Sequence, residues 1–393
     1  MIAHLDLDCF FVSASIIGHQ ELSSKNLVVV GGGDNAIFGQ ESIDEDSRII
    51  LSANYSARKF GIKAAMPLFL AKELCKELVV LKSDFALYKR LSKDVYLLLY
   101  SYTPDIEQAS IDEFYIDLSG SPYKNDPLKF AKELQQRILN ELELCCSIGI
   151  SQNKDIAKFC TTKAKPFGIM LCNGNEFLAK FGLEPIKSFP MVGSKLSEKL
   201  YKKGVVTIKD AVNSKFIFEQ LGQNGVKIYN SLIATPTTQI QTDHKRKSMG
   251  FSRTFLPIKN RDEIKRRLAI ICRHLSFDIY LLDLHPQTFE LKIRYINGEV
   301  KSRRKTQNGL FYEELLWQIS NELLDLVDES KNRAINKLSL TVSNLKEEGK
   351  VQRDLFFDEE KKELIAQKTV QELREKYGVD IVFQAKEAES FES

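Results

Sequence analysis

The chain has 393 residues, 43% hydrophobic and 28% charged, with only 10 Pro and 20 Gly, a composition that excludes collagen-like, low-complexity and largely disordered classes. At about 150 residues per domain the length predicts two to four folded units and rules out one small domain. Net charge is only +3, but residues 241–310 carry 16 Lys and Arg against 7 Asp and Glu, while residues 357–393 carry 6 against 10. A basic block of domain size in a nearly neutral chain points to a polyanionic partner, with a solvated lysine-rich face as the alternative.

In chain order, Ile2–Leu7 reads as a buried strand and Leu27–Val30 as a second one ending at Gly31-Gly32-Gly33, a turn signal with no following G-K-[ST]. Helical spacing of apolar residues covers 88–100 and 127–144, and 114–118 and 146–150 read as strands. This alternation predicts an α+β or α/β class. Residues 173–234 are mainly helical, and 235–247, with Pro236 and the basic run His244-Lys245-Arg246-Lys247, reads as a linker. Beyond it 264–275 and 312–326 read as helices, 288–296 and 338–342 as strands, and the acidic stretch 358–377 as an amphipathic helix. The seven cysteines are odd in number and lack C-x-x-C spacing, which predicts reduced thiols rather than disulfides or a zinc finger. Asp6 and Asp8 interrupt the apolar start, and no run approaches the roughly 18 residues of a membrane helix; a cytoplasmic protein without membrane attachment is expected.

Two acidic clusters close strand-like segments: Asp6-Leu7-Asp8, and Asp112-Glu113 within Ser110-Ile111-Asp112-Glu113-Phe114. Residues i and i+2 of a strand share a face. Carboxylates gathered at neighbouring strand ends repel unless cations neutralise them, and all-oxygen ligands suit Mg²⁺. The other reading is of exposed strand-end acids that cap nearby helices.

Several ordered motifs carry a resemblance. His4-Leu5-Asp6-Leu7-Asp8-Cys9-Phe10-Phe11, Asn54-Tyr55-Ser56-Ala57-Arg58-Lys59-Phe60-Gly61, Ser110-Ile111-Asp112-Glu113-Phe114-Tyr115, Gly149-Ile150-Ser151-Gln152-Asn153-Lys154, Lys165-Pro166-Phe167-Gly168 and Lys247-Ser248-Met249-Gly250 resemble those of Y-family translesion DNA polymerases, especially the DNA polymerase IV branch. The resemblance implies a right-hand architecture: palm at 1–17 and 85–170, fingers at 18–84, thumb at 171–234, linker at 235–246, little finger at 247–345, and a tail at 346–393. It implies low-fidelity primer extension without proofreading by two Mg²⁺ ions, with Mn²⁺ as a substitute. Asp6 and Asp112 would bridge both ions, Glu113 would bind the ion at the primer end, and the Leu7 carbonyl would complete the nucleotide-side ion. Asp8 matches a position that is not a direct ligand and takes a structural role.

By the same resemblance Tyr55, Arg58 and Lys165 contact the triphosphate, and Phe11, beside an inward Phe10, is a steric gate against the 2′-hydroxyl; a second core aromatic is the bland alternative. Pro190-Met191-Val192-Gly193 resembles a helix-hairpin-helix turn, placing Gly193 and Lys195 on duplex DNA together with Lys247, Ser248 and Arg253 of the little finger. Gln352-Arg353-Asp354-Leu355-Phe356 is similar to the peptide that docks bacterial polymerases on the sliding clamp, through Gln352, Leu355 and Phe356. The implied partners are primer-template DNA, deoxynucleoside triphosphates and that clamp, for a monomeric enzyme. Departures are Val12-Ser13 for the usual Val-Glu, Thr162 for Asp, and Met191 for the first Gly of the hairpin. A non-catalytic repair scaffold of the same fold would be expected to lose its metal acids, and a nucleotidyl cyclase would need neither the hairpin nor the docking peptide.

Overall fold

The computed structural model describes all residues except 32–36, 39–47, 237–239, 243–244, 352–357 and 389–393. The chain divides into two units: Met1–Gly33 with Ile43–His244, and Asp34–Ser42 with Lys245–Ser393.

The first unit runs β1 (Ile2–Leu7), α1 (Phe10–Ser15), β2 (Leu27–Val30), β3 (Ile50–Ala53), α2 (Tyr55–Arg58), α3 (Leu68–Leu74), β4 (Val79–Lys82), α4 (Phe85–Tyr100), β5 (Ile106–Gln108), β6 (Glu113–Asp117), α5 (Pro127–Leu142), β7 (Cys146–Ser151), α6 (Lys154–Ala164) and β8 (Ile169–Leu171). Five short helices close it: α7 (Gly174–Phe181), α8 (Ser194–Tyr201), α9 (Ile208–Val212), α10 (Lys215–Glu219) and α11 (Gly222–Leu232). Its main sheet has the order β5-β6-β1-β7-β8, and a smaller one the order β3-β2-β4. β1 is central, antiparallel to both β6 and β7. Being covered on both sides, it reads as a nearly continuous apolar run. Ala3, Leu5 and Leu7 enter a core with Tyr88, Val95, Leu134 and Ile138 of α4 and α5. α4 and α5 begin where Asp84 and Asp126 accept the backbone N–H three residues on, the N-cap bond that satisfies an orphan donor. On the other face α6 lies so close to β7 that a Cβ on Gly149 would fall 2.1 Å from the Ala157 carbonyl oxygen.

The second unit runs β9 (Ser248–Ile258), α12 (Arg261–Tyr280), β10 (His285–Tyr295), β11 (Val300–Thr306), α13 (Glu313–Val327), β12 (Ile335–Lys346) and α14 (Asp358–Tyr377). The antiparallel sheet has the order β11-β10-β12-β9. Phe289, Leu291, Ile293, Leu338, Leu340 and Val342 face a core shared with α12 and α13. Phe38 belongs to this core, meeting Phe255 edge-on at 5.8 Å with the Arg267 guanidinium 4.8 Å over its ring. β11 escapes sequence reading because it is an edge strand of polar and basic residues with no apolar run to mark it; β9, the other edge strand, goes unread although Met249, Phe251 and Phe255 alternate toward the core.

The acidic helix expected at 358–377 is present as α14 and is docked, not free. Arg374, 1% exposed, forms a bidentate ion pair with Glu313 at the start of α13, and its Nε and Nη2 donate to the Val382 carbonyl at 3.1 and 2.9 Å. Gln371 and Gln384 also donate to Glu313, and the Gln367 side chain accepts from its backbone N–H at 2.6 Å. The segment after α14 is fixed again where Glu387 meets Arg273 at 2.8 Å. The described cysteines are all unpaired, and six of the seven are buried. Among the described residues no helix is long and apolar enough to cross a membrane.

Removing one member of a buried ion pair strands the other. Arg374→Met should therefore destabilise the second unit by about 3–5 kcal/mol, and Arg374→Met with Glu313→Gln should recover most of that loss. Urea unfolding of the two variants and the parent checks both.

Candidate active site

Antiparallel pairing sets the site. Asp6 on β1 stands directly opposite Glu113 on β6 and Ser147 on β7, and the Leu7 N–H donates to the Asp112 carbonyl at 3.0 Å. Acids from segments more than a hundred residues apart in sequence thus share one end of the sheet. Each side chain has a partner: Lys165 reaches Asp6 at 2.5 Å, Lys158 reaches both oxygens of Glu113 at 2.8 and 2.6 Å, and Ser110 donates to Asp112 at 2.5 Å. Both lysines come from α6 and the loop that leaves it, the element held tight against β7 at Gly149. Burial above all pushes the Asp6 carboxyl up to about 6 despite Lys165, and the charges of Asp112 and Glu113 add to the rise.

Among the described residues no group of three or more His, Cys, Asp or Glu side chains is gathered as a metal cage; lysine ammonium groups sit on Asp6 and Glu113 instead. The donor set nevertheless fits divalent ions: all ligands are oxygen, and burial together with mutual repulsion raises Asp6 where a divalent cation would lower it.

Asp8, 3% exposed, is not in this set. Its Oδ1 accepts from the Tyr55 hydroxyl at 3.0 Å, and its Oδ2 from Ser147 Oγ at 2.9 Å and the Phe167 N–H at 2.7 Å. Burial, then the Asp8 charge, hold the Tyr55 phenol far above its ordinary value, so it remains a donor. Arg58 lies 4.9 Å over the Tyr55 ring and donates through Nε to the Ala53 carbonyl at 2.9 Å.

Phe10 is buried and Phe11 half-buried. Phe11 stacks on Tyr88 at 4.5 Å and 16° and meets Phe85 edge-on at 5.7 Å, while the Tyr88 hydroxyl pairs with Ser15 Oγ at 2.7 Å. Tyr88 escaped notice as a site residue. Its only signal is the aromatic pair Phe85 and Tyr88, three apart on one helix face. His4, on the α6 side of β1, is a packed residue: its Nδ1 meets Thr161 Oγ1 at 2.9 Å, its Nε2 is buried without a hydrogen-bond partner, and burial keeps it neutral.

Gly193 caps α8 and Lys195 is exposed in its first turn. Met191 adopts φ +66°, the left-handed region for which a Gly is usually chosen. In the second unit the sheet alternates: Ser248, Ser252, Lys292, Arg304, Lys337 and Ser339 fall on the face opposite the core, and Lys247 precedes them. Arg253 pairs with core-facing Leu338 and lies 4.0 Å over the Phe251 ring, so it shares the helix-covered face and not the face of Ser248. Gln352, Leu355 and Phe356 lie outside the described residues.

The profile of the impB/mucB/samB family matches residues 5–162, and that of its C-terminal domain residues 246–355. A DNA polymerase IV of Ureaplasma parvum serovar 3 is 30% identical over 368 residues, 91% of this chain and 97% of its own. The chain belongs to the Y family of DNA polymerases. A DNA polymerase IV of Bacillus cereus is 29% identical over 391 residues, covering 97% of this chain and 91% of its own. In fold, the Y-family chimera Dbh-Dpo4(243-245)-Dbh superposes with a TM-score of 0.78 at 21% identity, over 88% of this chain and 99% of that one. A Dbh insertion ternary complex gives 0.60 over the same shares.

Departures from the Y-family pattern have local explanations. Ser13, in place of an acid, donates to the Asp8 carbonyl at 2.7 Å, and Thr162 donates back to the Lys158 carbonyl at 3.2 Å.

A carboxyl whose folded value exceeds its unfolded one costs stability as it ionises, so the metal-free protein should lose stability as pH rises from about 4 to about 6. Asp6→Asn should raise metal-free stability at pH 7.5 by up to about 3 kcal/mol and leave it unchanged near pH 3.5. Chemical unfolding in chelator at the two pH values measures this.

Proposed function

We propose that the chain is a template-directed DNA polymerase of the translesion type, extending primer 3′ ends with low fidelity and no proofreading, by nucleotidyl transfer at the β1 end of the main sheet. The observation that carries this reading is the convergence of Asp6, Asp112 and Glu113 on adjoining strand ends with Lys158 and Lys165 beside them. The main sheet with α4–α6 serves as the palm, the β3-β2-β4 layer as the fingers, α7–α11 as the thumb, and the second unit's sheet as the little finger.

Asp6, Asp112 and Glu113, with the Leu7 carbonyl, would hold two Mg²⁺ ions, with Mn²⁺ as a substitute. When bound, such ions acidify the primer hydroxyl and neutralise charge on the triphosphate. Arg58 and Lys165 supply positive charge to the phosphates, and Tyr55, whose hydroxyl donates to Asp8, carries the Arg58 guanidinium on its ring. Phe11, held flat by Tyr88, packs beneath the sugar and excludes a 2′-hydroxyl. Duplex is gripped without reading bases: the Gly193 turn with Lys195 offers backbone amides and charge to phosphates, and Lys247, Ser248 and Arg253 do so from the second unit, where Arg253 would have to reach around the sheet edge. The non-catalytic scaffold is disfavoured because all three acids are present at adjoining strand ends.

Primer extension tests the reading. Asp112→Ala should abolish Mg²⁺-dependent incorporation while primer-template binding stays within a few-fold, whereas Phe11→Ala should incorporate ribonucleotides that the parent rejects. Extension by Asp112→Ala would remove the metal assignment.

The docking peptide is a separate reading, supported by the Q-x-x-L-F spacing that joins the little-finger segment to α14. Replacing Gln352, Leu355 and Phe356 by Ala should cancel stimulation by a bacterial sliding clamp, since tethering raises only the local concentration of enzyme. Single-nucleotide insertion without the clamp should be unchanged in the same variant.

A further inference from the structure

Asp8 collects three donors from three separate elements: the Tyr55 hydroxyl from α2, the Ser147 hydroxyl from β7, and the Phe167 N–H from the loop after α6. Its own backbone is fixed as well, with its N–H on the Cys145 carbonyl at 2.8 Å and its carbonyl under Ser13 Oγ. A carboxylate tied down at both ends is a rigid reference point.

Each of the three elements carries, or is bonded to, a group proposed to meet the triphosphate. Tyr55 gives its one hydroxyl proton to Asp8 and bears the Arg58 guanidinium on its ring. Phe167 is two residues from Lys165 and adopts φ +47°, a conformation that a bulky L residue rarely takes without external restraint. Its N–H on Asp8 is that restraint. The adjoining Gly168 N–H reaches Ser147 Oγ at 3.4 Å, its carbonyl accepts from Ile148, and a Cβ there would lie 2.0 Å from the Ala164 carbonyl oxygen. The loop therefore has one seat, and Asp8 and Ser147 define it.

We propose that Asp8 is a positioning residue for the incoming nucleotide: one buried carboxylate fixes the distance between the Tyr55–Arg58 pair of the fingers and the Lys165 loop of the palm, so that a triphosphate meets both at once. This rests on the reading of Tyr55, Arg58 and Lys165 as triphosphate contacts. Asp8 touches no substrate and acts only through its three donors.

Single-nucleotide insertion by the full chain on a primer-template tests it. Asp8→Asn removes the charge and leaves one acceptor oxygen for Ser147 and the Phe167 N–H, so Tyr55 can be kept only by reversing its hydrogen bond and losing its charge-assisted strength. It should raise KM for the incoming deoxynucleotide about tenfold, with kcat within a few-fold and primer-template Kd within twofold. Tyr55→Phe should also raise KM, and the double variant should be no worse than the poorer single one, because the two share one interaction. An unchanged KM in Asp8→Asn, or fully multiplicative effects in the double variant, overturns the proposal. Should Asp8→Asn be unfolded at the assay temperature, Ser147→Ala removes one donor and leaves the carboxylate paired. It should raise KM a few-fold, and an unchanged KM there likewise overturns the proposal. Arg58→Ala and Lys165→Ala separate the two readings. If neither raises KM, the triphosphate assignment fails and takes this proposal with it; if both do and Asp8→Asn does not, the proposal alone fails.

Discussion

Repulsion among carboxylates at the open end of β1 is the constraint around which the first unit is arranged. Antiparallel pairing on both sides of β1 forces Asp6 against Glu113 and beside Asp112, and a sheet covered by helices offers these charges little water. The nearest cations must then come from a neighbouring element. α6 supplies Lys158, and the loop leaving it supplies Lys165, which is why that helix has to approach β7 within reach of Gly149. Packing at a glycine and charge balance at an acid are in this way the same requirement.

The second unit solves a different problem. Its sheet buries one face and leaves the other mainly to Ser, Thr, Lys and Arg, with Glu290 among them, a surface dominated by hydroxyls and cations. Basic residues of the edge strand β11 on the helix-covered side serve two ends: Lys301 and Arg303 pair with Glu329 and Lys305 with Glu322, and the same charges discourage another strand from pairing with the edge. α14 completes the other side by supplying Arg374 to Glu313, so the acidic C-terminal stretch contributes through one buried cation.

Elements with a buried face were legible in the sequence. β1, β7, α4, α5, α12 and α13 each occupy a stretch where apolar residues recur with the period that their burial demands. β11 was not, because its exposed polar edge has no such period to show; β9 was passed over although Met249, Phe251 and Phe255 carry one. The acids were legible only through motifs: nothing local in Asp6 announces Glu113, and cross-strand register is a property of the folded sheet. Tyr88, the support for Phe11, and the Asp8 junction were invisible for the same reason, since each joins residues tens to more than a hundred positions apart. The pairing of Glu313 with Arg374 was likewise beyond reach, although the helix that bears Arg374 was not.

The sequestered thiols have a practical bearing on how the molecule behaves during genotoxic stress. Burial lifts Cys9 to about 11 and Cys160 and Cys272 to about 12, and the nucleophilic form of sulfur is the thiolate. At neutral pH these side chains are almost wholly in the unreactive acid form. Peroxides and alkylators that injure nucleic acid would find little to attack at these three buried sulfurs.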